Sequence, residues 1–220
     1  CPPFAVVTCD VFATEATSGL PVFRHPPDQG EIARLLHSLR VFPESCHIVG
    51  AYSLGKAQRV IGLLRQAGWE RPIFLHGAME RLCQLYQAFG VELGWLRPAN
   101  KDAGALPGEI VLAPPAAVPA RWARRFAEPG TAVAWGGRRV RPRARQAGAE
   151  LPLVISDHAD WDELLRTLDE VQAPEVWVTH GNEEALIHAA GLKGIRARAL
   201  ALIGRGEEDE TAGKVEEGAA

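Results

Sequence analysis

The chain has 220 residues, of which 47% are hydrophobic and 23% are charged, and its formal net charge is −3. This balance is typical of a globular protein with a sizeable core and excludes disorder of the whole chain. The longest apolar stretch, residues 110–118, is interrupted by Pro114 and Pro115 and is far shorter than the roughly 20 residues that cross a bilayer.

The start of the chain, Cys-Pro-Pro-Phe, contains neither an initiator Met nor the pattern of a signal peptide. We therefore expect further residues upstream of it in the complete protein. The cysteines are far apart and form no Cys-x-x-Cys pair, which argues against a zinc knuckle or a disulfide framework and favours a cytoplasmic location. They are Cys1, Cys9, Cys46 and Cys83.

Apolar, β-rich runs alternate with amphipathic helical patterns, which predicts an α/β fold with parallel sheet and crossover helices. Strands are predicted near residues 4–8, 11–15, 46–51, 72–76, 109–113, 131–135, 151–156, 175–180 and 196–202. Helices are predicted at 29–39, 54–67, 79–89, 117–126, 161–172 and 183–190. The helix after Asp160 has the best support, because Asp160 and Glu163 form a capping-box pattern ahead of an apolar stripe.

The segment Gly-Ala-Tyr-Ser-Leu-Gly-Lys at 50–56 follows a predicted strand and matches the spacing of a P-loop up to its lysine. A P-loop requires Ser or Thr at the next position, because that hydroxyl binds magnesium, and the chain has Ala57 there. A strand-to-helix turn with two glycines is the commoner explanation. The helix start with Ser53 and Lys56 can bind a phosphate in either case.

A histidine lies at the carboxyl end of one predicted strand and just after the carboxyl end of another. Asp157 and His158 follow the strand at 151–156, and His180 ends the strand at 175–180, with Asn182 predicted to cap the next helix. Open α/β sheets bind ligands at the carboxyl ends of their strands, so these imidazoles are expected at one edge. The remaining histidines are interpreted as surface or packing residues; they are His25, His37, His47, His76 and His188.

Eight arginines against one acidic residue lie between Arg121 and Arg145, although the chain as a whole is slightly acidic. Such a cluster favours contact with a nucleic-acid backbone, whereas a solvated edge segment is the alternative explanation. The balancing acids lie in a Glu-, Gly- and Ala-rich tail, residues 207–220, which is predicted to be disordered.

Six segments in order are similar to those of a known family. They are CDVFATEAT at 9–17, YSLGKAQRVIGLL at 52–64, LHGAME at 75–80, VLAPP at 111–115, ISDHADWDELL at 155–165 and VWVTHGNEEAL at 176–186. Together they resemble the β-CASP branch of the metallo-β-lactamase superfamily. Within that branch they are most similar to ligase-associated DNA exonucleases, also described as mRNA 3′-end processing factor-like.

The resemblance implies roles for three residues. Glu15 corresponds to the motif A acid, His158 to the motif B histidine that faces the scissile phosphate, and His180 to the motif C histidine that binds one of two zinc ions. It also places the nucleic-acid contacts on a cap that carries Lys56, Arg138, Arg139 and Arg141.

One family motif is missing from the sequence, because the chain contains no His-x-His-x-Asp-His segment. One imidazole, His180, cannot hold two zinc ions, so we expect no tight zinc binding and no cleavage by this chain alone. The implied fold is the C-terminal part of a metallo-β-lactamase αββα sandwich with an inserted β-CASP domain. Residues 1–19 belong to the N-terminal lactamase half, 20–147 form the β-CASP domain, and 148–206 return to the sandwich.

The function implied by the resemblance is metal-dependent phosphodiester hydrolysis, as a DNA exonuclease in DNA repair. Its expected partners are DNA and a repair DNA ligase or helicase. An RNA-processing nuclease of the same family is the nearest alternative. A P-loop-like nucleotide-binding enzyme is the rival class, and a non-catalytic nucleic-acid-binding module is the third hypothesis.

Overall fold

The structure, a computed structural model, describes residues 5–99, 106–126, 128–136 and 150–200. Its strands are β1 (Val11–Ala16), β2 (His47–Gly50), β3 (Ile73–Leu75), β4 (Leu96–Pro98), β5 (Ile110–Ala113), β6 (Gly130–Trp135), β7 (Leu151–Val154), β8 (Glu175–Gly181) and β9 (Arg196–Ala199). Its helices are α1 (Asp28–Val41), α2 (Lys56–Gln66), α3 (Gly77–Ala88), α4 (Trp161–Val171) and α5 (Glu183–Leu192).

These elements form two parallel sheets flanked by helices, which confirms the predicted α/β class. The described chain divides into two compact units. The first unit comprises Ala5 and Pro21–Glu163, and the second comprises Val6–Leu20 and residues 164–200.

The first unit is built on a six-stranded sheet in the order β4-β3-β5-β2-β6-β7, with every neighbouring pair parallel. Alternate residues of these strands point to opposite faces. Val49 and Leu112 pack with buried residues of α1, α2 and α3 in the larger core, whereas Ile48 and Val111 pack in the smaller core on the other face. Because both faces of these strands are buried, their sequences are continuous apolar runs.

Strand β7 lies at one edge of this sheet, where its outer N–H groups need partners from outside the sheet. The buried Glu31 of α1 supplies one, because its Oε2 accepts a hydrogen bond from Val154 N at 2.7 Å. Arg34 donates to the same carboxylate at 2.7 Å and to Pro152 O at 3.1 Å. Helix α1 therefore holds the strand that leads to Asp157 and His158.

The second unit contains a three-stranded parallel sheet in the order β1-β8-β9. Helix α5 packs on all three strands. Val176 and Val178 are buried on one face of the sheet, and Trp177 lies on the other beneath the guanidinium of Arg198. The ring of Trp177 is 4.6 Å from that cation.

Two predicted elements are absent from the structure, and one strand was not predicted. Residues 5–8 form no strand, and β4 was not predicted. Strand β4 is short and contains Pro98, which is tolerated because β4 is an edge strand. The helix predicted at 117–126 is also absent: this part of the chain has only short 3₁₀ turns, at Pro115–Ala117 and Ala123–Arg125.

The predicted domain boundaries stay a prediction. Arg138, Arg139 and Arg141 and the acidic tail lie outside the described residues. Among the described residues, none of the helices combines the length and hydrophobicity that a membrane span requires.

Candidate functional site

In the second unit, Glu15 and His180 lie beside each other at the carboxyl ends of two neighbouring strands. Strands β1 and β8 are parallel, and Glu15 lies opposite Thr179 in their ladder. The next ladder pair joins Ala16 to Gly181, so His180 is an extra residue in β8 at this point. Such a bulge redirects a side chain at the end of a strand.

The backbone at this bulge is held in an unusual conformation. His180 has a φ of 58° and Gly181 a φ of 86°, both in the left-handed region. A Cβ on Gly181 would lie 2.3 Å from Ala16 O, so the two backbones approach too closely for any other residue. Asn182 N donates to the same carbonyl at 2.9 Å. Strained backbone of this kind is common at binding and catalytic sites.

The side chains of Glu15 and His180 are oriented by local hydrogen bonds, and both are half-buried. Glu15 Oε2 accepts from Thr17 N at 2.8 Å. The Nδ1 atom of His180 is 2.9 Å from the hydroxyl oxygen of Thr179. An imidazole whose Nδ1 is engaged in this way presents Nε2 as its ligand atom.

In the first unit, the turn from β7 to α4 presents His158. Its backbone N–H donates to Ser156 Oγ at 3.1 Å, and its side chain is exposed. The turn ends in the predicted capping box: Glu163 N donates to Asp160 Oδ1 at 2.9 Å, and Asp160 N donates to Glu163 Oε2 at 3.0 Å. The sequence pattern therefore located the start of α4 correctly.

Lys56, the first residue of α2, forms an ion pair with Asp157 of this turn. Lys56 Nζ is 2.7 Å from Asp157 Oδ1, and the lysine side chain is only 4% exposed. Burial raises the pKa of the Asp157 carboxyl, but the hydrogen bond and charge of Lys56 outweigh it and hold that pKa below the ordinary value of 3.8. Asp157 is therefore ionised at neutral pH.

The strand-turn-helix context of the P-loop-like segment is present, because β2 ends at Gly50 and α2 begins at Lys56. In a P-loop the lysine ammonium binds phosphates. Here the Lys56 ammonium is bound to Asp157 instead, and an aromatic ring, that of Tyr52, lies 5.9 Å away. The nucleotide-binding alternative gains no support from this geometry.

A cavity of about 320 Å³ lies in the first unit beside the His158 turn. Its lining includes four carboxylates, those of Asp28, Asp157, Asp160 and Glu163, together with the side chains of His25, Arg59 and His158. Arg59 is paired with Asp28 through an Nη2 to Oδ2 contact of 2.6 Å. The cavity is thus rich in acids.

One group of side chains in this cavity has the composition of a metal site. Ligand atoms of His25, Asp160 and Glu163 lie within 4.8 Å of one another, and His25 Nε2 is buried without a hydrogen-bond partner. Both carboxylates already accept backbone hydrogen bonds, including one from His25 N to Asp160 Oδ2 at 2.9 Å. They also lie at a helix N-terminus, where the dipole disfavours a cation.

This position of His25 was not predicted from the sequence, where His25 was interpreted as a surface or packing residue. No local pattern signals the contact, because 135 positions separate His25 from Asp160. His76 is also explained by structure: it is the N-cap of α3, and its Nδ1 accepts from Ala78 N at 3.1 Å. Asn182 occupies the N-cap position of α5, but its side chain makes no capping hydrogen bond.

The predicted site residues are thus distributed over both units. Glu15 and His180 lie together in the second, and Lys56 and His158 belong to the first. The expectation that His158 shares a pocket with Glu15 and His180 stays a prediction. So do the binding of zinc and the contacts with nucleic acid.

Comparison with known proteins adds one relative. The chain is 28% identical over 204 residues to a probable DNA ligase of Opitutus terrae, which is 90% of this chain and 19% of that protein. The chain therefore spans about one fifth of the length of the curated relative that it matches. No protein-family profile matches the chain.

Proposed function

We propose that the chain is part of an enzyme acting on DNA, and more specifically the C-terminal part of a metal-dependent nuclease of the metallo-β-lactamase/β-CASP type. The broader statement is supported by the likeness of nearly the whole chain to a segment of a probable DNA ligase. That segment is a small part of the ligase, so ligation itself is not proposed for this chain.

The observation that supports nuclease chemistry most is the pairing of β1 with β8. It brings the carboxylate of Glu15 and the imidazole of His180 to the same end of two parallel strands, with His180 in a left-handed bulge. A histidine and a carboxylate at strand ends form the kind of pair that binds a metal ion or moves a proton.

In the proposed enzyme, His180 binds a metal ion, His158 faces the scissile phosphate, and Glu15 orients His158. The described part of the second unit brings together one imidazole and one carboxylate, whereas zinc takes three or four protein ligands. These residues therefore do not by themselves fit two zinc ions. The remaining ligands are proposed to come from residues outside this chain.

DNA is proposed as the substrate ahead of RNA because the similar protein is a probable DNA ligase. A role in DNA repair, next to a ligase or helicase, follows from the same likeness. The RNA-processing alternative uses the same residues, so both nucleic acids belong in one assay.

The proposal is tested with a longer protein that includes the residues encoded upstream of Cys1. We expect it to bind zinc, measured by elemental analysis, and to release nucleotides from labelled DNA faster than from RNA of equal sequence. His180→Ala should lower both zinc content and cleavage. His158→Ala should lower cleavage by about 100-fold or more while zinc is retained, because we propose that this imidazole gives a proton to the leaving oxygen.

His188→Ala is the matched control, because His188 is an exposed histidine in the same unit as His180. Its cleavage rate and zinc content should equal those of the unaltered protein. A zinc-loaded longer protein that cleaves neither DNA nor RNA would contradict the proposal. Faster cleavage of RNA would favour the RNA-processing alternative.

A further inference from the structure

We infer that Lys56 is a positioning residue: through the ion pair of its buried ammonium with Asp157, it fixes the turn that presents His158. This inference rests on the proposed function, in which His158 faces the scissile phosphate. It replaces the expectation that Lys56 contacts nucleic acid directly. The two roles predict different kinetics.

The Lys56 side chain is enclosed by the protein. The residue is 3% exposed, and its Nζ is 2.7 Å from Asp157 Oδ1. The ring of Tyr52 lies 5.9 Å from the same ammonium, so that one side of the cation faces an aromatic surface. An ammonium enclosed in this way does not reach a phosphate in solvent.

A buried cation at the start of α2 is energetically unfavourable. Lys56 is the first residue of α2, and the first turn of this helix contains no acidic residue. A positive charge at a helix N-terminus is disfavoured by the helix dipole, and its burial adds a desolvation cost. Asp157 offsets both, and an apolar residue at this position would avoid them. The benefit that we assign to the pair is therefore the specific arrangement of the turn, and not net stability.

The ion pair between Lys56 and Asp157 connects two segments that are not neighbours in the sheet. Strands β2 and β7 are not neighbours, because β6 lies between them in the sheet. The pair therefore joins the start of the helix after β2 to the turn after β7 across an intervening strand. Within the described part of the chain, no backbone ladder makes this connection.

The ion pair also restrains His158, the residue that follows Asp157. The turn has one anchor at Ser156, whose Oγ accepts from His158 N, and another at Asp160 in the capping box. Between these anchors the side chain of Asp157 is held by Lys56. Asp157 is 40% exposed, so without Lys56 its carboxylate is free to turn into solvent and to take the exposed His158 with it.

The experiment measures kcat and KM for DNA cleavage by the longer protein with Lys56→Met and with Asp157→Asn. Met keeps the length of the lysine stem without its charge. We expect each variant to lose at least tenfold in kcat with little change in KM, because a small displacement of a catalytic group is enough for such a loss. The double variant should be no worse than either single one.

Asp169→Asn is the matched control. It breaks a second lysine-carboxylate pair, Lys193 Nζ to Asp169 Oδ1 at 2.7 Å, in which the lysine side chain is 33% exposed. Its kcat should be unchanged. Acetylation of Lys56, followed by mass spectrometry, gives a readout that does not depend on activity: it should be slow in the unaltered chain and faster after Asp157→Asn.

The outcomes separate the two proposals. An active protein in which Lys56→Met leaves kcat unchanged, or raises KM alone as a lost phosphate contact would, overturns this inference and leaves the proposed function standing. Rapid acetylation of Lys56 in the unaltered chain also overturns it. A longer protein that cleaves neither DNA nor RNA overturns the proposed function, and this inference with it.

Discussion

The two turns that follow β7 and β8 have similar sequences but are held by different means. A histidine lies near the start of each turn, and a polar residue lies directly before the next helix. Side-chain interactions fix the conformation of the turn after β7: Asp160 and Glu163 cap α4, and Lys56 binds Asp157. Backbone interactions fix the turn after β8, through the bulge at His180 and the close approach of Gly181 to Ala16.

This difference explains why one turn was predicted in detail and the other was not. Capping by Asp160 depends on a residue three positions away, a spacing that is visible in the sequence. The bulge at His180 depends on the pairing of β8 with β1, about 165 positions away along the chain. The predicted side-chain cap at Asn182 was wrong for the same reason, because the Asn182 backbone N–H is directed to Ala16 O and its side-chain amide to Thr17 O.

The largest effect is expected in the turn after β8, whose conformation the backbone fixes. Gly181→Ala places a Cβ 2.3 Å from Ala16 O and 2.6 Å from Thr17 Cα, on a residue with φ of 86°. Because the clashing atoms are backbone, we expect a loss of more than about 3 kcal/mol in the free energy of unfolding of the second unit. Hydrogen exchange of the β8 amides measures it.

Gly194→Ala is the control for that loss. Gly194 has a similar φ of 77°, but apart from its chain neighbours no atom of the described residues lies within 4 Å of the Cβ that would be added. Its cost should be limited to backbone strain, about 1 kcal/mol. Equal losses in the two variants would show that the close approach to Ala16 has no energetic effect.

A smaller effect is expected at the helix caps. Asp160→Ala removes the acceptor for Glu163 N and for His25 N, both at 2.9 Å, and should destabilise the first unit by about 2 kcal/mol. Asn182→Ala removes no capping hydrogen bond and should cost less than about 0.5 kcal/mol. Hydrogen exchange in the first turns of α4 and α5 compares them, and losses in the reverse order would refute this account of the two turns.

The smallest effect expected is a dependence on pH in the turn after β7. Burial raises the pKa of the Asp160 carboxyl, but N–H donors of His25 and Glu163 outweigh it, so the pKa lies below its ordinary value of 3.8. This carboxylate therefore stabilises the folded state fully above about pH 4, the unfolded value, and loses that contribution as pH falls through the lower folded value.

Asp160→Asn should flatten this part of the pH dependence of unfolding, measured by chemical denaturation between about pH 2 and pH 7. Asp157 contributes in the same direction, because the charge of Lys56 lowers its pKa against the effect of burial. An acid transition of unchanged size in the Asp160→Asn variant would contradict the assignment to this residue.

The sequence by itself determined the α/β class, the order of most strands and helices, and the start of α4 at Asp160 and Glu163. It also placed His158 and His180 directly after apolar strands. These features follow from periodicity and from interactions between residues a few positions apart, which a single sequence displays. The motif resemblance, and not the spacing, suggested a role for Glu15, whereas the P-loop-like spacing by itself suggested phosphate binding by Lys56.

Only the tertiary structure decided which distant residues meet. It placed His180 beside Glu15 through the register of β1 with β8, His25 beside Asp160, and the ammonium of Lys56 against Asp157. Each contact joins residues about 100 or more positions apart, so its formation depends on sheet order and on which helix packs where. Local propensity carries no information about those choices, because the same short patterns are compatible with many strand orders.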